Sequence, residues 1–432
     1  MKTDEVLDSR LAKRRAAIQS IDRSLLSPLV RKVLETDSAD ILDWSCDPIQ
    51  DRLAAQVSRS NQSGRTFPAP KDSSLTQDNS DAADQVRQMF RAEEPIWQLG
   101  RNVYRVAGRA RVQDNIVNWS FILKVQDDEN QRERRAYESG LLSDLPEDLN
   151  TSQCYGAVEQ PDGDYWLWLE EVTGEPGQSW SVERLGLAAR HLGQFNGAYL
   201  AGRPVPTEPW LGSWPGTSWP GGNGEDVENL LSQLKSVQHH PLIARAFPQD
   251  VAEGLDRLWV SRPRLLAALQ SLPKTLAHSD IHLRNLFSRP IKGRDHTVLI
   301  DRGAIGTAPL GVEVHKLTAS FRYLRNLEMG QIRDLGDLVF SEYLSGLREA
   351  GWRGDTRQLR LGYAATVSLC HGLGELRSLL RGGLDERARD RVKKLWGDRP
   401  IEENMERRGE LLRFMLELAR EAEDLVEHIS LN

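Results

Sequence analysis

Between Leu276 and Arg289 the chain reads LAHSDIHLRNLFSR, which packs His278, Asp280, His282 and Asn285 into eight positions between two short apolar runs. Two imidazoles, a carboxylate and a carboxamide so close together suit three chemistries: a metal site, a phosphoryl-transfer loop, or a polar turn. The spacing His278-Ser279-Asp280-(four residues)-Asn285 has the form H-x-D-x-x-x-x-N. In kinase chemistry the Asp of such a loop accepts the proton of the attacking hydroxyl and the Asn binds magnesium. Downstream, TVLIDRG carries Asp301 at the end of an apolar run, with Asp301-Arg302-Gly303 in the form D-x-G. A carboxylate at a strand end can hold Mg²⁺ between the β- and γ-phosphates of a nucleotide.

Upstream, Lys124 lies inside the apolar run SFILKV. Alone it reads as a lysine snorkelling from a strand edge. The segment that follows offers Glu129, Glu133 and Glu138 as partners. A lysine held by a helix glutamate is how kinases aim a cation at the phosphates. Glu133 is the expected partner, because it precedes the apolar Ala136-Tyr137 pair and should face the sheet. Lysine, catalytic Asp, Asn and strand-end Asp occur in the order that phosphoryl transfer requires, and the joint pattern is stronger than any one part.

The elements that must position these groups are legible in outline. IWQLGRNVYRVAGRARV alternates around Gly100, and VNWSFILKVQ (117–126) is a β-type run. QRERRAYESGLLSDL (131–145) reads as a helix and DYWLWLEEVTG (164–174) as a strand, so this part is a small α+β unit. Beyond Gly174 helices dominate. Leu185, Ala188, Leu192, Phe195 and Tyr199 step by three and four along one stripe. Residues 202–226, rich in Pro, Gly and Trp, form an irregular loop, and 225–271 is helical again. HTVLID (296–301) is a strand, and from Val314 onward the pattern is helical. Near the start, residues 1–36 look helical, ADILDW (39–44) suits a short strand, and 58–83 reads as a flexible loop. No internal repeat is present.

Bulk properties narrow the class. A chain of 432 residues exceeds one ordinary core and suggests two lobes. A net charge of −7 argues against general nucleic-acid binding. Three widely spaced cysteines form neither a disulfide framework nor a zinc spacing. The N-terminus lacks the apolar core of a signal peptide, and no stretch approaches the roughly 18 to 20 apolar residues that span a bilayer. The expectation is a cytoplasmic protein with no membrane and no nucleic-acid partner, acting on a small molecule.

The segments WSFILKV, YWLWLEEV, LGQFNGAYL, LAHSDIHLRNLF, VLIDRGAIGTAPLG and YLSGLREAGW resemble the aminoglycoside-phosphotransferase and choline-kinase-like group of small-molecule kinases, over roughly Leu99 to Arg381. The resemblance implies an α+β, bilobal, protein-kinase-like fold with a small β-rich N-lobe and a larger, mostly helical C-lobe. On that reading residues 1–90 are an N-terminal helical extension, 91–172 the nucleotide-binding N-lobe and 173–432 the helical C-lobe. It implies Asp280 as catalytic base, Asn285 and Asp301 as magnesium ligands, Lys124 as phosphate anchor and Glu133 as its partner. Gly100 would cover the phosphates, and Leu169, Glu170 and Glu171 would form the adenine-binding hinge. The implied activity is transfer of the γ-phosphoryl group of ATP or GTP, with Mg²⁺, to a hydroxyl of an aminoglycoside, sugar or related polar acceptor. The chain departs from the group at Ser279, where Gly is usual, at Arg302, where a bulky aromatic is usual, and at Glu313, where Asp is usual.

His282, Trp210, Trp214, Trp219 and Glu313 are candidates for the acceptor side. The three tryptophans suit an aromatic wall for a sugar, cyclitol or cation, although they could equally pin an irregular loop. Glu225, Asp226 and Glu228 would suit a cationic acceptor. Two other readings stand beside the kinase. Ser279 and Arg302 suit a catalytically weak nucleotide-binding module that acts through partners. His278, Asp280, His282 and His315 suit a metallohydrolase, which leaves Lys124 and Asp301 without a role.

Overall fold

A computed structural model describes residues 14, 16–49, 102–126, 131–214, 224–318, 327–386, 389, 396 and 399–429. Gly100, Glu129, Trp219 and the 58–83 loop lie outside the described residues. The described chain divides into two compact units. The first draws on residues before 50, on 102–142 and on 151–173; the second draws on 143–150 and on the chain from Gly174.

The first unit is built on a five-stranded sheet. Its strands are β1 (Asp40–Pro48), β2 (Val103–Val112), β3 (Asn115–Gln126), β5 (Cys154–Glu159) and β6 (Tyr165–Glu170), after a short β4 (Leu149–Thr151). Their order is β1-β2-β3-β6-β5, with antiparallel neighbours throughout. Alternation along β3 sends Trp119, Phe121, Leu123 and Val125 to the buried face and leaves Ser120, Ile122 and Lys124 half-buried on the other. Helix α1 (Arg23–Val33), capped by the Asp22 side chain, joins this core through Leu26, Leu29 and Val30. The segment expected as an N-terminal extension thus supplies the first unit with a helix and an edge strand. Edge-to-face contacts of Phe121 with Trp168 and Tyr155 fill the sheet's aromatic centre. The helix expected over 131–145 stops early, as α2 (Arg132–Glu138). Gly140 follows at φ +73°, a left-handed conformation in which a helix cannot continue.

The second unit is mostly helical. α3 (Val182–Leu200) packs on α8 (Met329–Glu349). The crossing is close because a Cβ on Gly346 would lie 2.0 Å from Arg190 O, and one on Gly193 2.2 Å from Tyr343 O. α4 (Gly224–Val237), α5 (Pro241–Ala246) and α6 (Gln249–Ser271) follow the loop after α3, and α7 (His315–Thr318) precedes α8. α9 (Thr356–Val367), α10 (Glu375–Leu384) and α11 (Ile401–His428) follow α8. Two small sheets carry the polar segments of interest. One has the order β4-β11-β10-β7, where β7 is Glu175–Pro176, β10 Leu286–Ile291 and β11 Arg294–Leu299. The other has the order β8-β12-β9, where β8 is Gly212–Ser213, β9 Lys274–Ala277 and β12 Gly306–Pro309. The loop expected to be irregular therefore holds a two-residue strand, paired in parallel with β12. Among the described residues no helix is long and apolar enough to cross a membrane.

Candidate active site

In the first unit β3 and α2 bring Lys124 and Glu133 together. Lys124 pairs with Val103 on one side and Leu167 on the other, so its backbone is fixed within the sheet. Its Nζ lies 2.6 Å from Glu133 Oε2; the lysine side chain is 21% exposed and the glutamate 0%. Gln126 Nε2 donates to the same oxygen at 2.8 Å. A buried carboxylate needs such partners, because its desolvation is costly unless it is paired and hydrogen-bonded. Glu138 is instead half-exposed and pairs with Arg134 one turn away. Leu169 and Glu170 end β6 opposite Ile122 and Phe121. The Glu171 carboxylate pairs with Arg105 Nε at 2.7 Å.

In the second unit β9 delivers the chain into the loop that begins at His278. His278 is fully buried. Its Nδ1 accepts from the Asp280 amide at 3.2 Å, and its Nε2 meets Ile300 O at 2.9 Å. Those partners call for a neutral ring protonated at Nε2. Burial, and then the Arg302 charge, pull the pKa of His278 down to about 3. Both nitrogens are engaged inside the protein, so the ring braces the loop.

Asp280 is the loop's presented carboxylate, 24% exposed. Asn285 Nδ2 donates to Asp280 Oδ2 at 2.9 Å and to Asp280 O at 3.0 Å. His282 Nε2 lies 3.2 Å from Oδ1, and Lys316 Nζ, on α7, also 3.2 Å from Oδ1. Arg284 Nη2 is 4.0 Å from Oδ2. Burial raises the carboxyl's proton affinity, but Lys316, then His282, His278 and Arg284, more than offset it. Asp280 is held below the usual carboxylate range and is ionised at neutral pH. His282, half-exposed, is pulled down to about 4 by burial and the Lys316 charge.

Asp301 enters the same neighbourhood through its chain neighbour. Ile300 N donates to Asn285 O at 3.0 Å, while Ile300 O receives His278. The residue before Asp301 is thereby tied to both ends of the loop, just past the Leu286–Leu299 pair of the β10–β11 ladder. Asp301 itself adopts φ +62° and leads into a short 3-10 turn. The site's oxygens suit a hard cation. Magnesium keeps water and phosphate oxygens and asks a protein for only one or two ligands. Asp301 offers a carboxylate, and Asn285, with its Nδ2 turned to Asp280, offers its carbonyl Oδ1.

Ser279 stands at φ +64°, which explains why Gly is usual at this point: a Cβ is disfavoured there by about 1–2 kcal/mol. The loop is held in that shape by Glu313, whose Oε1 accepts the amides of His278 and, at 3.1 Å, Ser279. Its Oε2 accepts Asn196 Nδ2 at 2.9 Å. Burial raises the Glu313 pKa against the pull of Asn196, the two amides and the buried Arg302. Glu313, expected on the acceptor side, is therefore committed inside as a brace for the loop. Asn196 in turn donates to Leu276 O and accepts from Tyr343 Oη at 2.8 Å, across the close α3–α8 crossing.

Sequence reasoning passed over Asn196, Tyr343 and Lys316. Asn196 had a signal: it lies four residues after Leu192 on an apolar stripe, where a polar residue needs a partner. Lys316 had none, being 36 residues from Asp280, the carboxylate it meets. Trp210 and Trp214 are half-buried, and the Trp214 amide donates to Thr307 O at 2.9 Å, which ties the Trp-rich loop to β12. Glu228 is exposed, and the side chains of Glu225 and Asp226 lie outside the described residues. The metallohydrolase set does not assemble. His278 has both nitrogens occupied, His315 is buried with Nδ1 on Val312 O, and no group of three His, Cys, Asp or Glu among the described residues can hold a metal.

The sequence matches the phosphotransferase enzyme family over residues 98–343, more than half of the chain, and the protein belongs to that family. Its fold class is the α+β, protein-kinase-like one. No curated protein matches the sequence. Similar solved structures include the GDP complex of aminoglycoside 2'-phosphotransferase-IIIa, at 16% identity and TM-score 0.36 over 82% of this chain and 100% of that one. An ethanolamine kinase of Plasmodium vivax matches at 13% identity and TM-score 0.36 over 72% and 79% of the two chains. A microcompartment-associated aminopropanol kinase matches at 14% identity and TM-score 0.39 over 78% and 98%.

Proposed function

We propose that the protein is a magnesium-dependent kinase that transfers the γ-phosphoryl group of ATP or GTP to a hydroxyl of a small polar molecule. The observation that carries this reading is the Asp280 carboxylate. It is presented by a strained loop, ionised, and oriented by the Asn285 amide that donates to both its side chain and its main chain. In this mechanism Lys124, aimed by Glu133, binds nucleotide phosphates. Asp280 accepts a hydrogen bond from the acceptor hydroxyl, orients its oxygen for in-line attack and takes its proton. Asn285 and Asp301 would hold magnesium, which would supply neutralisation of charge on the phosphates. His278, Glu313 and Asn196 keep the loop rigid, so that little reorganisation remains at the moment of transfer. Positioning and charge neutralisation account for most of the catalysis.

The test is a thermal melt of the wild type and of Asp301→Ala, each with and without Mg·ATP and Mg·GTP. A ligand at about a hundred times its Kd adds roughly 2.7 kcal/mol of stability. A shift in the wild type that Asp301→Ala largely loses supports the nucleotide and metal assignment. No shift with either nucleotide would sink the kinase reading.

A further inference from the structure

Lys316 has no part in the mechanism described so far, yet among the described residues it is the nearest cation to the base. Its Nζ donates to Ser279 O at 2.7 Å and to Asp280 Oδ1 at 3.2 Å. An ammonium has three N–H donors. Among the described residues these are its two acceptors, and the side chain is 22% exposed, so one donor remains for a ligand. The lysine is anchored at its root as well, because Glu313, three residues earlier, is buried against the loop amides.

A brace for Asp280 needs only a donor. Asn285 and His282 already direct groups to both of its oxygens. The positive charge helps to hold Asp280 ionised, and it also answers a charge that arrives with the substrate. The hydroxyl oxygen that Asp280 receives must bond to the γ-phosphorus. The oxygens on that phosphorus therefore pass within reach of a cation set against Asp280 Oδ1.

We propose that Lys316 is a catalytic residue whose ammonium contacts the phosphoryl group in transit and neutralises its oxygens. This rests on the kinase reading above. In the step, the acceptor O–H bond breaks and its proton passes to Asp280. A bond forms from the acceptor oxygen to the γ-phosphorus. The bond from that phosphorus to the bridging oxygen breaks, and its electron pair leaves on the nucleoside diphosphate. Lys316 exchanges no proton; it lowers the cost of charge on the oxygens that do not react.

The test uses water as acceptor, so no acceptor need be known. Phosphate release from Mg·ATP and Mg·GTP is measured for the wild type, Lys316→Met, Lys316→Gln and Lys316→Arg, alongside melts with and without Mg·ADP. Removing one such group costs about 10²- to 10³-fold in kcat. Lys316→Met and Lys316→Gln should show that loss with little change in KM and an intact Mg·ADP shift, and Lys316→Arg should recover most of it. A folded Met or Gln variant with wild-type kcat overturns the proposal; if Met does not fold, Gln decides. A lysine that only braces the loop would lower the melting temperature and leave kcat in place, which also overturns it. A wild type with no nucleotide shift fails the kinase reading itself. A wild type that binds nucleotide but releases no phosphate removes a catalytic role for Lys316 while leaving the nucleotide site standing.

Discussion

The Glu313 carboxylate and the Lys316 ammonium grip one residue from its two ends: Glu313 Oε1 accepts the Ser279 amide at 3.1 Å, and Lys316 Nζ donates to the Ser279 carbonyl at 2.7 Å. Three positions apart in sequence, they form a clamp of opposite charges around a peptide in left-handed conformation. The clamp holds open a shape that Ser279 would otherwise leave. A non-glycine residue is tolerated there because its neighbours over-determine the backbone.

Ser279→Gly should therefore stabilise the protein, by about 1 kcal/mol at most, since the strain removed is partly offset by glycine's greater freedom when unfolded. Thermal melts would register a rise of roughly a degree or two. A fall would mean that the serine side chain makes a contact worth more than the strain.

Removing the carboxylate half of the clamp should cost far more. Glu313→Ala leaves the amides of His278 and Ser279 and the Asn196 carboxamide without their buried acceptor, at about 1–3 kcal/mol each. Urea unfolding should show a loss of several kcal/mol. An unchanged midpoint would show that water replaces the carboxylate.

At the base, Asp280→Asn keeps the size of the side chain and removes the proton acceptor. Turnover should fall by about 10²- to 10⁴-fold, while the Mg·ATP-induced thermal shift stays. Near wild-type phosphate release from this variant would reject the assignment of the base.

The Lys124–Glu133 pair allows stability and function to be separated. Lys124→Met alone leaves Glu133 buried without its cation and should cost about 3 kcal/mol, as breaking a buried pair does. Lys124→Met with Glu133→Gln removes both charges and should regain most of that stability. Neither variant should show the nucleotide shift. A double variant that binds Mg·ATP like the wild type would show that Lys124 is structural only.

Acid should weaken the fold through buried histidines. Burial pulls His191 down to about 4 and His278 to about 3, both below the roughly 6.5 of an unfolded chain. The unfolded state thus binds protons that the folded state refuses, and stability rises with pH across that window. Their contribution is complete above about pH 6.5 and is lost as the pH falls toward 4 and 3. At pH 5 the loss is about 2 kcal/mol per histidine at most. Unfolding curves at pH 7.5 and 5.0 would show it, and His191→Phe should flatten the slope. Equal slopes in the two proteins would assign the acid sensitivity to other groups.

The sequence by itself determined what depends on short range. The spacing from His278 to Asn285 is local, and so is the capacity of that loop to turn Asn285 Nδ2 back onto Asp280. Alternation along β3 decided that Lys124 would leave the sheet on the face opposite Leu123 and Val125, and the glutamate spacing in α2 decided which partner could reach it. Periodicity also made legible the α3 stripe, since a helix repeats its own pattern. Only the tertiary structure decided that Glu313 would brace the loop and that Lys316 would stand beside Asp280. It alone brought Tyr343 to Asn196 beneath β9, and Ile300 between His278 and Asn285. These contacts join residues far apart along the chain, and a hydrogen bond between them leaves no periodic trace. Their geometry comes from helix crossings and strand pairings that exist only once the apolar faces have packed.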